Sequence, residues 1–141
     1  MNVNSIRDGV VIDHIKAGRA MRLYELMKLD ELDASVAVIQ RVPSRKIGKK
    51  DIIKIDANVP VNLDLVGYVD PSATVNVIRE KEVVQKRTLA LPETLTDVIT
   101  CKNPRCITSV EQELAHVFTL SNPQERLYRC LYCETKADLL R

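Results

Sequence analysis

Tryptophan is absent from this chain of 141 residues, phenylalanine occurs once and tyrosine four times. Recognition by stacking bases on aromatic side chains therefore has few platforms. No run of about 18 apolar residues occurs, which excludes a transmembrane helix. The opening residues, Met1-Asn2-Val3-Asn4-Ser5-Ile6-Arg7-Asp8, lack the apolar stretch of a signal peptide, so a cytoplasmic chain is expected. A surplus of one charge sign is missing too: 21 Lys+Arg face 19 Asp+Glu, a net charge of +2 and too even for a polybasic nucleic-acid binder. Histidine occurs only at positions 14 and 116, and the four glycines are scattered at 9, 18, 48 and 67. No G-x-S-x-G, P-loop, G-x-G-x-x-G or H-E-x-x-H is formed, so an enzyme acting alone is not expected. What remains is globular in composition, 45% hydrophobic and 28% charged, enough for one ordinary domain or two small ones.

All four cysteines fall in the last third: Cys101 and Cys106 as C-x4-C, then 23 residues, then Cys130 and Cys133 as C-x2-C. In a reducing compartment disulfides rarely persist. Two short-spaced pairs, each on a tight turn, can aim four thiolates at one tetrahedral zinc ion. Buried structural thiols or a redox C-x-x-C are the competing readings, and the paired spacing is more specific than either. Four sulfurs close the coordination sphere, so one Zn(2+) per chain is expected, structural rather than catalytic. The segment around it is too small to fold on a hydrophobic core alone.

The rest of the chain alternates periods. Gly9 to Ile15 reads as a strand, and Ala17 to Leu29 as an amphipathic helix with Ala20, Leu23, Tyr24 and Met27 on one face. Ser35 to Val42 and Lys50 to Asp56 read as strands, Asn62 to Tyr68 as a short helix, Thr74 to Glu80 and Glu82 to Leu89 as two more strands. The predicted fold is α+β: an N-terminal βαββαβ antiparallel sheet with two helices and one added strand, then a small all-β zinc-binding domain. The boundary falls at Leu91-Pro92, giving domains 1–91 and 92–141. In the second domain Val98 to Thr100, Ala115 to Leu120 and Leu127 to Arg129 suit short strands.

Polar residues interrupt the apolar strands: Asp13 and His14, Lys54, Asn76 and Lys86. Strict alternation puts Val11, Asp13 and Ile15 on one face and His14 on the other. A salt bridge between neighbouring strands accounts for such residues, and so does a polyanion site with Lys54 and Lys86 as point charges and Asp13 accepting from a ribose. Arg41, Arg45, Lys46, Lys49, Lys50 and Lys54 near a single acid, Asp51, with Tyr128 and Tyr132 beside the second cysteine pair, form the case for a nucleic-acid-binding zinc ribbon. The even net charge argues against it.

Val11-Ile-Asp-His-Ile15, Gly48-Lys-Lys-Asp-Ile-Ile-Lys-Ile55, Ala73-Thr-Val-Asn76, Glu82-Val-Val-Gln-Lys86 and the two cysteine pairs occur in that order. Together they closely resemble the regulatory chain of aspartate carbamoyltransferase, over nearly the whole length. The resemblance implies a non-catalytic chain of pyrimidine biosynthesis, homodimeric, bridging trimers of the catalytic chain. Its N-terminal domain would bind CTP, UTP or ATP and its zinc domain would contact the catalytic chain. No membrane or nucleic-acid partner is implied. By position, Asp13 would hold the ribose, Lys54 base and ribose, Lys86 ribose and triphosphate. His14 and Asn76 would lie near the phosphates, and Ile6, Ile12, Ile78 and Val83 would pack around the base or supply backbone contacts. The four cysteines match zinc ligands, and Asn103 and Glu134 match positions near the catalytic-chain contact. This chain departs from well-known members at Lys81, where an aromatic is found, at Asn4, where an acid is found, and at Arg87, where the basic residue lies one position later.

Overall fold

A computed structural model describes residues 6–138; Asn4 lies outside them. Contacts divide the chain into two units, Met1–Ala90 and Leu91–Arg141. The first contains β1 (Gly9–Lys16), α1 (Ala20–Leu26), a 3-10 turn (Leu29–Glu31), β2 (Val36–Ser44), β3 (Gly48–Ile55), α2 (Leu63–Val69), β4 (Thr74–Arg79) and β5 (Glu82–Thr88). The strands form one antiparallel sheet in the order β2-β3-β1-β4-β5. This is the predicted βαββαβ arrangement with its added strand at an edge.

Alternation gives the sheet two unlike faces. Val10, Ile12, Ile53, Ile55 and Val75 are at most 1% exposed and share the core with Ala20 and Leu23 of α1 and Leu65, Val66 and Val69 of α2. Each such aliphatic contributes about 1.5–3 kcal/mol when fully buried. On the other face Val11, Ile52, Lys54, Asn76 and Ile78 are only half-buried.

Bulges bend the central strand β1 and the edge strand β2. Between the pairs Ile12↔Ile53 and Ile15↔Asp51, the two residues Asp13 and His14 oppose the single Ile52. His14 takes up the extra residue in the left-handed region, φ 57, and its N–H donates to Asp13 Oδ1 at 2.6 Å. Such a bulge resets the side-chain alternation beyond it. Ile15 therefore points into the helix-backed core at 0% exposure, contrary to strict alternation. In the second bulge Gln40 and Arg41 oppose Asp51, with Arg41 at φ 58. Asp51, 0% exposed, accepts from Arg41 N (3.0 Å), Gly18 N (3.0 Å) and Ala20 N (3.2 Å), tying this bulge to the start of α1.

The first helix is shorter than its periodicity predicts. Lys28 turns left-handed, φ 54, and Leu29 is buried from the separate 3-10 turn. Asn62 caps α2 through its side-chain oxygen, which accepts from Asp64 N and Leu65 N. The β4–β5 connection is the two-residue turn Glu80-Lys81, both left-handed at φ 50 and 67. Hairpins favour this twist, here without the Asn or Gly that announces it.

The second unit contains β6 (Thr94–Thr96), the single helical turn α3 (Ile107–Val110), β7 (Val117–Asn122) and β8 (Leu127–Cys130) in an antiparallel sheet ordered β6-β7-β8. Leu95, Phe118 and Tyr128 are its buried centre, and the Tyr128 hydroxyl donates to the Pro92 carbonyl. Tyr128 therefore offers no stacking face. The strand expected at 98–100 lies instead at 94–96. Asp97 turns left-handed (φ 56) and locks onto His116 through both its N–H (2.8 Å) and its carboxylate (2.9 Å), ending the strand.

Candidate functional site

The open face of the first sheet carries a cleft of about 370 Å³, within the range of small-molecule sites. Ile6, Asp13, His14, Lys54, Asn76, Ile78, Val83 and Lys86, eight of the nine residues singled out for nucleotide contact, line it. Ile12 is the ninth. It is even-numbered on β1 and buried in the helix-backed core, so only its main chain could contribute. Val11, Ile52 and Thr74 complete the lining and escape the sequence analysis. A two-residue step along each strand from Asp13, Lys54 and Asn76 finds all three.

The register explains the grouping. Val11 pairs with Lys54 on β3 and with Asn76 on β4, and Asn76 pairs with Lys86 on β5. Lys54, Val11, Asn76 and Lys86 thus form one row across four strands, about 14 Å from end to end at the usual strand spacing. On one side of the row Ile78 pairs with Val83, beside Ile6. On the other stand Asp13, Ile52 and Thr74, joined by His14, which the bulge turns toward the cleft. His14 Nδ1 lies 3.4 Å from Thr74 Oγ1, and Asn76 Nδ2 donates to Val11 O at 3.3 Å. Ile6 is placed by the chain before β1: Lys81 N donates to Arg7 O (2.9 Å) and Glu80 N to Asp8 Oδ1 (3.1 Å).

Asp13 also meets a cation absent from the predicted set, Lys50, whose Nζ lies 2.9 Å from Oδ1. Burial works to raise the Asp13 carboxyl, but the Lys50 hydrogen bond, the His14 N–H and the Lys50 charge outweigh it and hold the group below its ordinary value. Asp13 thus both forms an ion pair between neighbouring strands and lines the cleft. Lys81 sits in the β4–β5 turn and does not line this cleft. Arg87, adjacent to Lys86, faces the other side of the sheet and lines a separate cleft with Arg79 and Gln85. The arrangement suits an anion with an apolar face: two lysines for phosphates, aliphatics for a flat ring, and amide, hydroxyl and carboxylate for polar edges.

The second site is the cysteine cluster. The sulfurs of Cys101, Cys106, Cys130 and Cys133 all lie within 4.8 Å of one another. Cys101 and Cys133 Sγ are 3.5 Å apart, Cys106 and Cys130 Sγ 3.7 Å. A tetrahedron with Zn–S near 2.3 Å has edges of about 3.8 Å, whereas a disulfide needs about 2.05 Å. The four soft sulfurs therefore fit a metal and not a pair of disulfides.

Backbone turns set this spacing. Cys106 N donates to Asn103 O (3.1 Å), and Glu134 N to Cys130 O (2.9 Å) with Glu134 left-handed at φ 63. Asn103 is half-buried and Glu134 exposed, each beside a ligand. His116 Nδ1 accepts from Cys101 N at 3.2 Å. The Thr135 hydroxyl and N–H bring the Cys133 thiol down to about 6, and Thr108 lowers Cys106 in the same way. Burial pushes Cys101 up to about 12 and raises Cys130.

Comparison with known proteins finds a match for each of the two units. Residues 1–90 match the family model described as the aspartate carbamoyltransferase regulatory chain, allosteric domain, and residues 93–139 match the metal binding domain of the same chain. The aspartate carbamoyltransferase regulatory chain of Clostridium tetani is 45% identical over 136 residues, covering 95% of this chain and 94% of that one. Those of Clostridium acetobutylicum and Bifidobacterium longum are 42% and 40% identical, covering 95% and 99% of this chain and 92% and 100% of theirs. With its length matched almost end to end by an allosteric and a metal-binding domain, the chain belongs to the family of aspartate carbamoyltransferase regulatory chains.

Proposed function

We propose that this chain senses nucleoside triphosphates for an aspartate carbamoyltransferase, with CTP, UTP or ATP as effector, and so adjusts pyrimidine biosynthesis in the cytoplasm. The observation that carries this reading is the row Lys54–Val11–Asn76–Lys86, two cations at the ends of a half-buried strip flanked by Ile6, Ile78 and Val83. In this reading Lys86 and Lys54 neutralise phosphate, Asp13 and Asn76 bind hydroxyl edges, and the aliphatics take the base. The domains are 1–91 for the effector and 92–141 for a structural zinc ion held by Cys101, Cys106, Cys130 and Cys133.

The zinc-bearing domain grips the catalytic chain through the surface around Asn103 and Glu134. Two regulatory chains pair, and the pairs bridge catalytic trimers. An effector bound in the cleft changes catalysis only by its different affinity for two quaternary states, typically about 1–3 kcal/mol of coupling. The test is co-purification with the catalytic chain, then aspartate saturation curves with and without CTP, UTP and ATP. A nucleotide-dependent shift of the curve supports the reading. An assembled enzyme indifferent to all three overturns it.

A further inference from the structure

The two cysteine turns share a feature that their spacing does not require. Thr108 follows Cys106 by two residues, and its Oγ1 lies 3.1 Å from Cys106 Sγ; Thr135 follows Cys133 by two, and its Oγ1 lies 3.1 Å from Cys133 Sγ. Thr108 is 3% exposed and Thr135 half-buried, so neither hydroxyl sits free in solvent. The second cysteine of each pair thus has a hydroxyl behind it. Among the described residues Cys101 and Cys130 have none: the side-chain hydrogen-bond partners of their sulfurs are other cysteines. A metal-bound sulfur carries no proton, so in the loaded site each threonine hydroxyl is the donor. Four thiolates on one divalent ion leave a net charge of −2, and donors aimed at the sulfurs spread that charge and fix the ligands' orientation.

We infer that Thr108 and Thr135 are positioning residues for the metal, a matched pair of hydroxyl donors to Cys106 and Cys133 that hold the ion more tightly than the four cysteines alone. This rests on the zinc reading above. Threonine and valine have nearly the same shape, so Thr108→Val and Thr135→Val keep the packing and remove the donor. Thr→Ser keeps the donor and removes a methyl.

The test uses the full chain, with zinc affinity from competition against a chromophoric chelator and the sulfur-to-metal charge-transfer bands of the cobalt(II) form. Each valine variant should bind zinc about 10-fold more weakly. Its cobalt bands should move to longer wavelength, because a sulfur without its donor gives up charge more easily. Both serine variants should return to parental values. Unmoved cobalt bands in both valine variants overturn the inference, whatever their affinity. A parent chain that takes up neither zinc nor cobalt overturns the zinc reading itself, and this inference with it.

Discussion

Lys50 Nζ lies 2.9 Å from Asp13 Oδ1, because alternation puts both on the cleft face, Asp13 two residues after Val11 on β1 and Lys50 four residues before Lys54 on β3. Two residues chosen by the sequence for different reasons, one as a ribose acceptor and one as part of a basic run, form one ion pair beside the cleft.

This pair makes stability depend on acid. The Asp13 carboxyl is held below its ordinary 3.8: burial raises it, and the Lys50 hydrogen bond, the His14 N–H and the Lys50 charge lower it by more. Its contribution is therefore fully present above the unfolded-state value and is lost as pH falls through the lower folded-state value. Lys50→Met should cost about 1 kcal/mol at pH 7, the range of partly exposed pairs. Urea unfolding of parent and variant at pH 7 and pH 3 checks it, with the gap narrowing at the lower pH. An equal gap at both would show that Lys50 acts through packing alone.

Each lysine of the cross-strand row should matter separately to effector binding. Charged hydrogen bonds of this kind contribute about 1.5–3 kcal/mol, so Lys54→Gln and Lys86→Gln should each weaken CTP roughly 10- to 100-fold. Arg87→Gln, next in sequence but on the opposite face, should leave CTP affinity within about twofold. Isothermal titration of the three variants at two salt concentrations is the measurement. If Arg87→Gln is as damaging as Lys86→Gln, the cleft is on the wrong face.

Gly9 tolerates no side chain. A Cβ there would lie 2.2 Å from the Ile55 carbonyl oxygen and 2.9 Å from Ile6 Cγ2, and the first of these is backbone that cannot move alone. Gly9→Ala should destabilise by about 1–3 kcal/mol, as overpacked cores do. It should also weaken nucleotide binding by displacing Ile6 from the cleft. Thermal unfolding and titration together test it, and a variant as stable as the parent would refute it.

Removing the metal should divide the molecule functionally. A structural zinc site contributes an apparent ~10–16 kcal/mol in small peptides, more than the core of Leu95, Phe118 and Tyr128 can replace. Chelation of the full chain should unfold residues 91–141 and abolish capture by the catalytic chain, with the amides of β1, β3 and β4 still protected. Hydrogen exchange with and without chelator reads both. Persistent protection in β7 and β8 after metal loss would mean that the unit folds without it.

The sequence by itself determined the order of the strands and of the two α-helices in the first unit, and marked the proline near Leu91 and the two cysteine pairs. These rest on local signals: periods of two and 3.6, a proline at the boundary and two short cysteine spacings. It also named the polar members of the cleft, Asp13, His14, Lys54, Asn76 and Lys86, because a polar residue inside a run of valines and isoleucines is conspicuous wherever the strand goes; Ile6, Ile78 and Val83 were named only by the family resemblance. Only the tertiary structure decided which face each residue serves. His14, Arg41, Glu80, Lys81 and Asp97 adopt left-handed backbone with no glycine to announce it, and each bulge or turn they make resets alternation or ends a strand. Asp51 shows the reason most clearly. In sequence it is one acid in a basic run; folded, it is fully buried and binds three backbone N–H groups from two other segments. Partners as far as 33 residues away supply the hydrogen bonds that make such a burial stable, and no local pattern records them.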